Sequence, residues 1–442
     1  MDLRGLCQAA IVSRVGIIET PSSGASLAKP HATLRHNYLS FLENTAQTLG
    51  VMAPTGTMGI ILPLLILQAG NATWISFLLT LVAFTLVLYC MYRFARHCAS
   101  AGALATFAEA GLGKKIGIVA GWAYIVAMFF GVAGGAPSAA YYANVSLTVV
   151  TGTPGTSLRG VLLTTLVIVM AWAVAHHDIK LSTKVMLTIE FSSVIVMIAI
   201  IGMAMVKSGA WVDRAQLRVE GAKLSGVQFA MVFGFMTLAG FESVTALGEE
   251  ASRATRTIPR VIVSCLLPVG LMYLAVIYCL VALGHKYGMA VDQMEAPFDA
   301  LARQMRFGVL GFASSIGIAL SYFACTLGSL NAGARVLYAM AQKGEFASRF
   351  GEAHPSNATP HRAIALFSVI GIATPVALLL LKMSLLDCVN DLTQLGSFGF
   401  IGAYFLVCLA LPFFLRRRRI MRTRDAMISG MALAILGAGR AN

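Results

Sequence analysis

The sequence predicts an all-α polytopic membrane protein, built as an inverted repeat of five plus five transmembrane helices with discontinuous first and sixth helices. Three observations carry this. The 442 residues are 58% hydrophobic and 12% charged, against about 25% charged in soluble domains. Apolar runs long enough to span a bilayer recur along the chain, and the roughly ten-residue alternation of a membrane β-barrel is absent. Two helix-breaking stretches sit at matching depths: Ala53-Pro54-Thr55-Gly56-Thr57-Met58-Gly59, and Leu238-Ala239-Gly240-Phe241-Glu242-Ser243. Gly56 lies about 16 residues into the first apolar segment and Gly240 about 16 into the sixth.

The segments read in order as 40–68, 73–95, 116–147, 159–177 and 181–206 for repeat one (about 40–206). Repeat two (about 225–415) has 225–249, 259–284, 308–341, 361–382 and 390–415. Residues 36–419 form the core. Residues 1–35 are polar, broken by Pro21 and Pro30, and read as a cytoplasmic tail. The final part, 420–442, holds an eleventh apolar stretch at 425–438, shorter than the roughly 20 residues a span needs. It reads as a partial or interfacial segment, or the remnant of a truncated C-terminus.

Charge placement sets the orientation. With the N-terminus inside, 23 of the 33 Lys and Arg residues fall on the inner side and 10 on the outer, as the positive-inside rule requires. The net charge of +14 therefore reads as topology, not nucleic-acid binding. The run Arg416–Arg419 is a topology lock, with anionic-lipid contact as the sharper alternative. Five spans per repeat place the sixth segment's start outside, so the two repeats run in opposite senses.

The cysteines at 7, 90, 98, 265, 279, 325, 388 and 408 are scattered, with neither metal-ligand spacing nor a disulfide framework. No catalytic constellation and no phosphate-binding loop appears, so neither an enzyme nor an ATP-driven pump is expected, and no cofactor or metal. Glu190 and Glu242 are the notable intramembrane acids. Buried carboxylates are expensive, so such groups face a cavity, find partners or bind a proton. Paired helix breaks at corresponding positions point to a transporter's binding site, because freed backbone groups are tolerable at that depth only where they line a cavity.

Several stretches resemble the amino acid–polyamine–organocation superfamily of secondary transporters. Gly240-Phe241-Glu242 is followed by Gly248-Glu249-Glu250 and Arg256-Thr257-Ile258-Pro259-Arg260. Ser100-Ala101-Gly102, Gly111-Leu112-Gly113 and Ala120-Gly121-Trp122 resemble the family's second loop and third segment. Gly333 to Ala341 with Thr359-Pro360, and Gly396 to Phe400 with Ala403-Tyr404, resemble its eighth and tenth segments. The resemblance spans about residues 36–419.

The resemblance implies a secondary active transporter of amino acids or related amines in the plasma membrane, working by alternating access. Proton coupling is expected before sodium coupling. A substrate/product antiporter, or a sensor that binds without transporting, are the alternatives. It implies that Thr55, Gly56, Thr57 and Met58 receive a substrate carboxylate, and that carbonyls near Leu238, Ala239 and Gly240 receive the amine. Phe241 would be an aromatic gate, and Tyr124 and Tyr322 polar handles. Glu190 and Glu242 would couple to protons. Glu249, Glu250, Arg253 and Arg335 would form a cytoplasmic gate. Small-molecule substrate, H+ and membrane lipids are the expected partners.

Overall fold

The computed structural model describes residues 33–438; the expected tail at 1–35 lies almost wholly outside them. The segments are helices close to the expected bounds. The first is split into α1 (Phe41–Met52) and α2 (Pro54–Ala69). There follow α3 (Thr73–Ala95), α4 (Ala103–Leu112), α5 (Lys114–Thr151), α6 (Ser157–His177) and α7 (Ile179–Ser208). After the short α8 (Arg214–Arg218), repeat two comprises α9 (Leu224–Leu238), a 3-10 turn at Ser243–Leu247, α10 (Ala254–Tyr287), α11 (Pro297–Gln304), α12 (Gly308–Gln342), α13 (His361–Leu380) and α14 (Leu385–Arg417). The eleventh stretch is α15 (Thr423–Ala438).

Among the described residues, nine helical stretches are long and apolar enough to cross a membrane. The first, Phe41–Ala95, contains 55 residues and turns at Gly70–Ala72, so it supplies two crossings. The chain is an integral membrane protein with the 5+5 arrangement. Helices at corresponding repeat positions lie against each other: α2 on α9, α3 on α10, α5 on α12 and α6 on α13. That pairing is what a pseudo-twofold axis in the membrane plane produces.

Local chemistry sets the ends. Ser40 and Glu43 close a capping box at the start of α1, which satisfies two of that end's unpaired N–H groups. Asp178 caps α7 by accepting from the Lys180 N–H. The start of α1 is also clipped to the second repeat. The N–H groups of Tyr38 and Leu39 both donate to the Glu250 carbonyl, at 2.7 and 2.9 Å, and the Ser252 N–H donates back to Leu39 at 2.9 Å.

Helix α4 is an addition to the expected elements, since no segment was expected between 73–95 and 116–147. Ten residues flanked by Gly102 and Gly113 carry no spanning signal. Its apolar face is ordered by packing on α5 and α14, and Gly111 approaches the Ala410 backbone so closely that a Cβ would collide with it.

Orientation is checked by labelling. Ser356, in the α12–α13 connection, and Lys382, in the α13–α14 turn, are both exposed and lie at opposite ends of α13. In a Cys-free background, a Cys at Ser356 should resist an impermeant thiol reagent in intact cells, while one at Lys382 should react. The reverse pattern would invert the topology.

Candidate substrate and ion site

The first break falls at Ala53. Its backbone is left-handed (φ 44°), and Pro54 takes the first position of α2. Proline has no N–H to donate to α1 and disfavours a helical residue before it, so α1 must end there. Thr55, Gly56, Thr57 and Met58 therefore form the first turn of α2 rather than an unwound loop. This end of a helix presents unpaired N–H groups and partial positive charge.

The four expected carboxylate contacts do different things. The Gly56 N–H donates to Ser321 Oγ at 3.2 Å. The Thr55 hydroxyl is buried and has no hydrogen-bond partner among the described residues. The Thr57 hydroxyl donates to the Met52 carbonyl at 2.8 Å, so it braces the break itself. Met58 is wholly buried in the core. Tyr322 is brought directly against this turn: a Cβ on Gly56 would meet its ring at 3.0 to 3.2 Å.

The second break begins after Leu238. Ala239 is extended and Gly240 has φ +91°, a conformation that favours glycine. The chain then turns into the 3-10 segment. The last carbonyls of α9 face no further helical turn, and a helix C-terminus attracts cations. The Gly240 N–H donates to the Tyr404 hydroxyl at 3.2 Å, and that hydroxyl donates to Glu242 Oε2. Glu242 Oε1 and the Tyr124 hydroxyl are buried near each other, and among the described residues neither has another hydrogen-bond partner. Phe241 packs edge-on against Phe84 and Tyr404, with both ring centroids at 5.9 Å.

Glu190 lies in mid-helix on α7, 1% exposed. The Ser321 hydroxyl is 2.9 Å from each of its carboxyl oxygens. A hydroxyl has one proton and two lone pairs. With the Gly56 N–H on one lone pair, Ser321 joins the α2 N-terminus to the α7 acid in one chain. One turn further along α12, the Cys325 thiol donates to the Val51 carbonyl at 3.3 Å.

At one end of the bundle Arg335 and Glu250 form a forked ion pair, at 2.5 and 3.0 Å. Their side chains are 0% and 1% exposed, and Arg335 also donates to the Asn331 carbonyl at 3.1 Å. Of the four expected gate residues these two meet. Glu249 turns to the α3–α4 connection, where it accepts from the Ala101 N–H at 3.4 Å. Burial is the main influence on its carboxyl and raises its pKa. Arg253 is exposed at the start of α10, outside the pair.

The structure adds Ser321 and Tyr404 to the site. A lone serine inside an apolar helix carries no sequence signal. Tyr404 stood within a family-like stretch, but nothing in its spacing tied it to Glu242.

The sequence profile of the family described as "Amino acid permease" matches residues 39–439. Similar proteins include the methylthioribose transporter of Bacillus subtilis (strain 168), 24% identical over 389 residues, covering 84% of this chain and 80% of that protein. The branched-chain amino acid permease BcaP of the same organism is 23% identical, covering 82% of this chain and 76% of the relative. The low-affinity putrescine importer PlaP of Escherichia coli (strain K12) is 30% identical over 193 residues, covering 42% of this chain and 39% of that protein. Among solved structures, MhsT in complex with L-phenylalanine superposes with a TM-score of 0.57 at 14% identity. That match covers 92% of this chain and 98% of the other, and it bears on the fold alone.

Proposed function

Because the chain belongs to the amino acid permease family, we propose that it is a proton-coupled secondary transporter of an amino acid or related amine, with its N-terminus in the cytoplasm and its core in the plasma membrane. The observation that carries this is the hydrogen-bonded chain Gly56–Ser321–Glu190 at the first helix break, facing the second break at Gly240.

A free amino acid carries one anionic and one cationic group, and the two breaks offer one helix end of each sign. The carboxylate is received by the Thr55 N–H and hydroxyl, beside the Ser321 hydroxyl that the Gly56 N–H holds in place. The amine is received by carbonyls at Leu238 and Ala239. Tyr322, pressed on Gly56, closes one wall.

Glu190 reads its own charge out through Ser321. When ionised, it accepts the hydrogen bond of the serine hydroxyl. When protonated, the carboxyl donates to Ser321 Oγ instead, which frees the serine hydrogen to turn toward an arriving carboxylate. Proton binding and substrate binding then favour each other, the reciprocal coupling a symporter needs. Glu242, held by Tyr404, braces the second break and is a second candidate proton acceptor. The Arg335–Glu250 pair ties α12, and the Leu39 clip ties the cytoplasmic start of α1, to the segment after the sixth helix, so substrate release inward requires both to part. This is the element that makes access alternate.

A thermal-shift screen of the purified protein against amino acids and amines tests the reading, because a ligand that prefers the folded state raises its apparent stability. Gly56→Leu drives a side chain into Tyr322, and Gly240→Leu adds strain at φ +91° with Val51 only 2.5 Å from the new Cβ. Both variants should lose the stabilisation at least tenfold in ligand concentration while still inserting in the membrane, a loss of about 1.4 kcal/mol or more. Unchanged affinity in both places the substrate elsewhere.

A further inference from the structure

The sequence from residue 392 to the C-terminus contains seven arginines and one acid, Asp425. The structure shows that this acid is not available to the arginines of the turn. Asp425 is fully buried, where it accepts from the Tyr89 hydroxyl at 2.5 Å and from the Arg422 N–H at 2.8 Å. It also pairs with Arg93 of α3 at 3.3 Å. These contacts pin the start of α15 against α3, and the Ser429 hydroxyl adds a bond to the Cys408 carbonyl on α14 at 2.5 Å. The turn between α14 and α15 is therefore held rigidly at its base. Every residue from Arg416 to Arg424 is exposed, six of them arginines. Arg418 lies over the Phe414 ring.

The faces flanking this turn are apolar and exposed. Phe413 is 50% exposed on α14, and on α15 Met427, Met431 and Ile435 are 63%, 53% and 40% exposed. The opposite stripe of α15, with Asp425, Ser429, Ala432 and Leu436, is buried on the bundle. Met427 to Ile435 spans about 12 Å at 1.5 Å per residue, close to the roughly 15 Å depth of one leaflet's hydrocarbon. Guanidiniums thus stand at the polar end of an apolar strip one leaflet deep. Burial first, and then Arg418, Arg93 and Arg96, push the imidazole of His97, just beyond α3, down from the ordinary value.

We propose that the α14–α15 turn seats the headgroup of an anionic phospholipid, with an acyl chain lying along the Met427–Met431–Ile435 strip. Arginine forks match phosphate oxygens, and clustered basic residues beside a membrane helix favour anionic headgroups. The proposal is independent of substrate, coupling ion and orientation.

The test extracts the full chain from vesicles of equal phosphatidylglycerol and phosphatidylcholine and quantifies the lipid that stays bound. Wild type should retain phosphatidylglycerol about tenfold over phosphatidylcholine, a difference of about 1.4 kcal/mol. Changing Arg416, Arg417, Arg419 and Arg424 together to Gln should bring the ratio near unity. The same four changed to Lys keep the charge that sets topology and should keep most of the preference. Arg214→Gln with Arg218→Gln, at the exposed α8, should leave it unchanged. Equal retention of both lipids by wild type would overturn the proposal. So would loss of preference in the Lys variant, or equal thermal stabilisation by inorganic phosphate and by phosphatidylglycerol.

Discussion

Glu190→Gln is expected to abolish accumulation driven by a pH gradient while leaving substrate exchange within about threefold of wild type. The glutamine keeps the shape and, like the protonated carboxyl, can donate to Ser321 Oγ, so the chain from Gly56 across α12 to α7 survives. It cannot ionise, so it cannot carry a proton from one side to the other. In reconstituted vesicles with an imposed pH step, uptake by the variant should fall to the level seen without the step. Counterflow at equal pH should persist, because that assay needs binding and alternating access but no net proton movement. Ser321→Ala is the informative companion. It leaves Glu190 able to titrate but cuts its link to the α2 N-terminus, so both coupling and substrate affinity should weaken. If Glu190→Gln accumulates substrate undiminished, the acid is removed from the mechanism and Glu242 becomes the residue to test. Uptake that follows a sodium gradient with no pH step would replace the proton by sodium.

The second large effect is expected at the buried ion pair. Arg335→Met should destabilise the protein by about 3–5 kcal/mol, because it leaves the Glu250 carboxylate buried without its partner. Thermal unfolding in detergent should show this as a fall on the order of 5–10 °C. Combining it with Glu250→Gln removes the stranded charge and should recover most of the loss. The double variant should nonetheless transport abnormally, since the lock between α12 and the segment after the sixth helix is gone. A larger inward-open population, read as faster labelling of a Cys placed at Gln47, is the expected signature. Gln47 is fully buried, and its amide donates to the Gly328 carbonyl at 2.8 Å. A single variant within about 0.5 kcal/mol of wild type would show that the pair does not hold the closed state.

The helices were largely legible in the sequence, and for a physical reason. In hydrocarbon every backbone polar group must be satisfied within its own segment, so each span carries the requirement in its own residues. The third segment, expected at 116–147, runs Lys114–Thr151, and the eighth, expected at 308–341, runs Gly308–Gln342. The breaks were visible because Pro54 and Gly240 are local conformational signals, though the first lies at Ala53 rather than centred on Gly56. Helix α4 was not legible, because its order comes from α5 and α14 rather than from its own ten residues.

The site was legible only in part. Sequence identified Glu190, Glu242, Gly56 and Gly240 as unusual. It placed Glu249, Glu250, Arg253 and Arg335 in one group, and packing separated them: Glu250 and Arg335 meet across 85 residues, while Glu249 and Arg253 face elsewhere. Ser321 and Tyr404 entered the site only when folding set them beside Glu190 and Glu242, 131 and 162 residues away. A residue's cost of burial is written in its own chemistry and can be read from one position. Which partner relieves that cost depends on where distant helices cross, to within the roughly 3 Å reach of a hydrogen bond, and that is decided by the packing of the whole bundle.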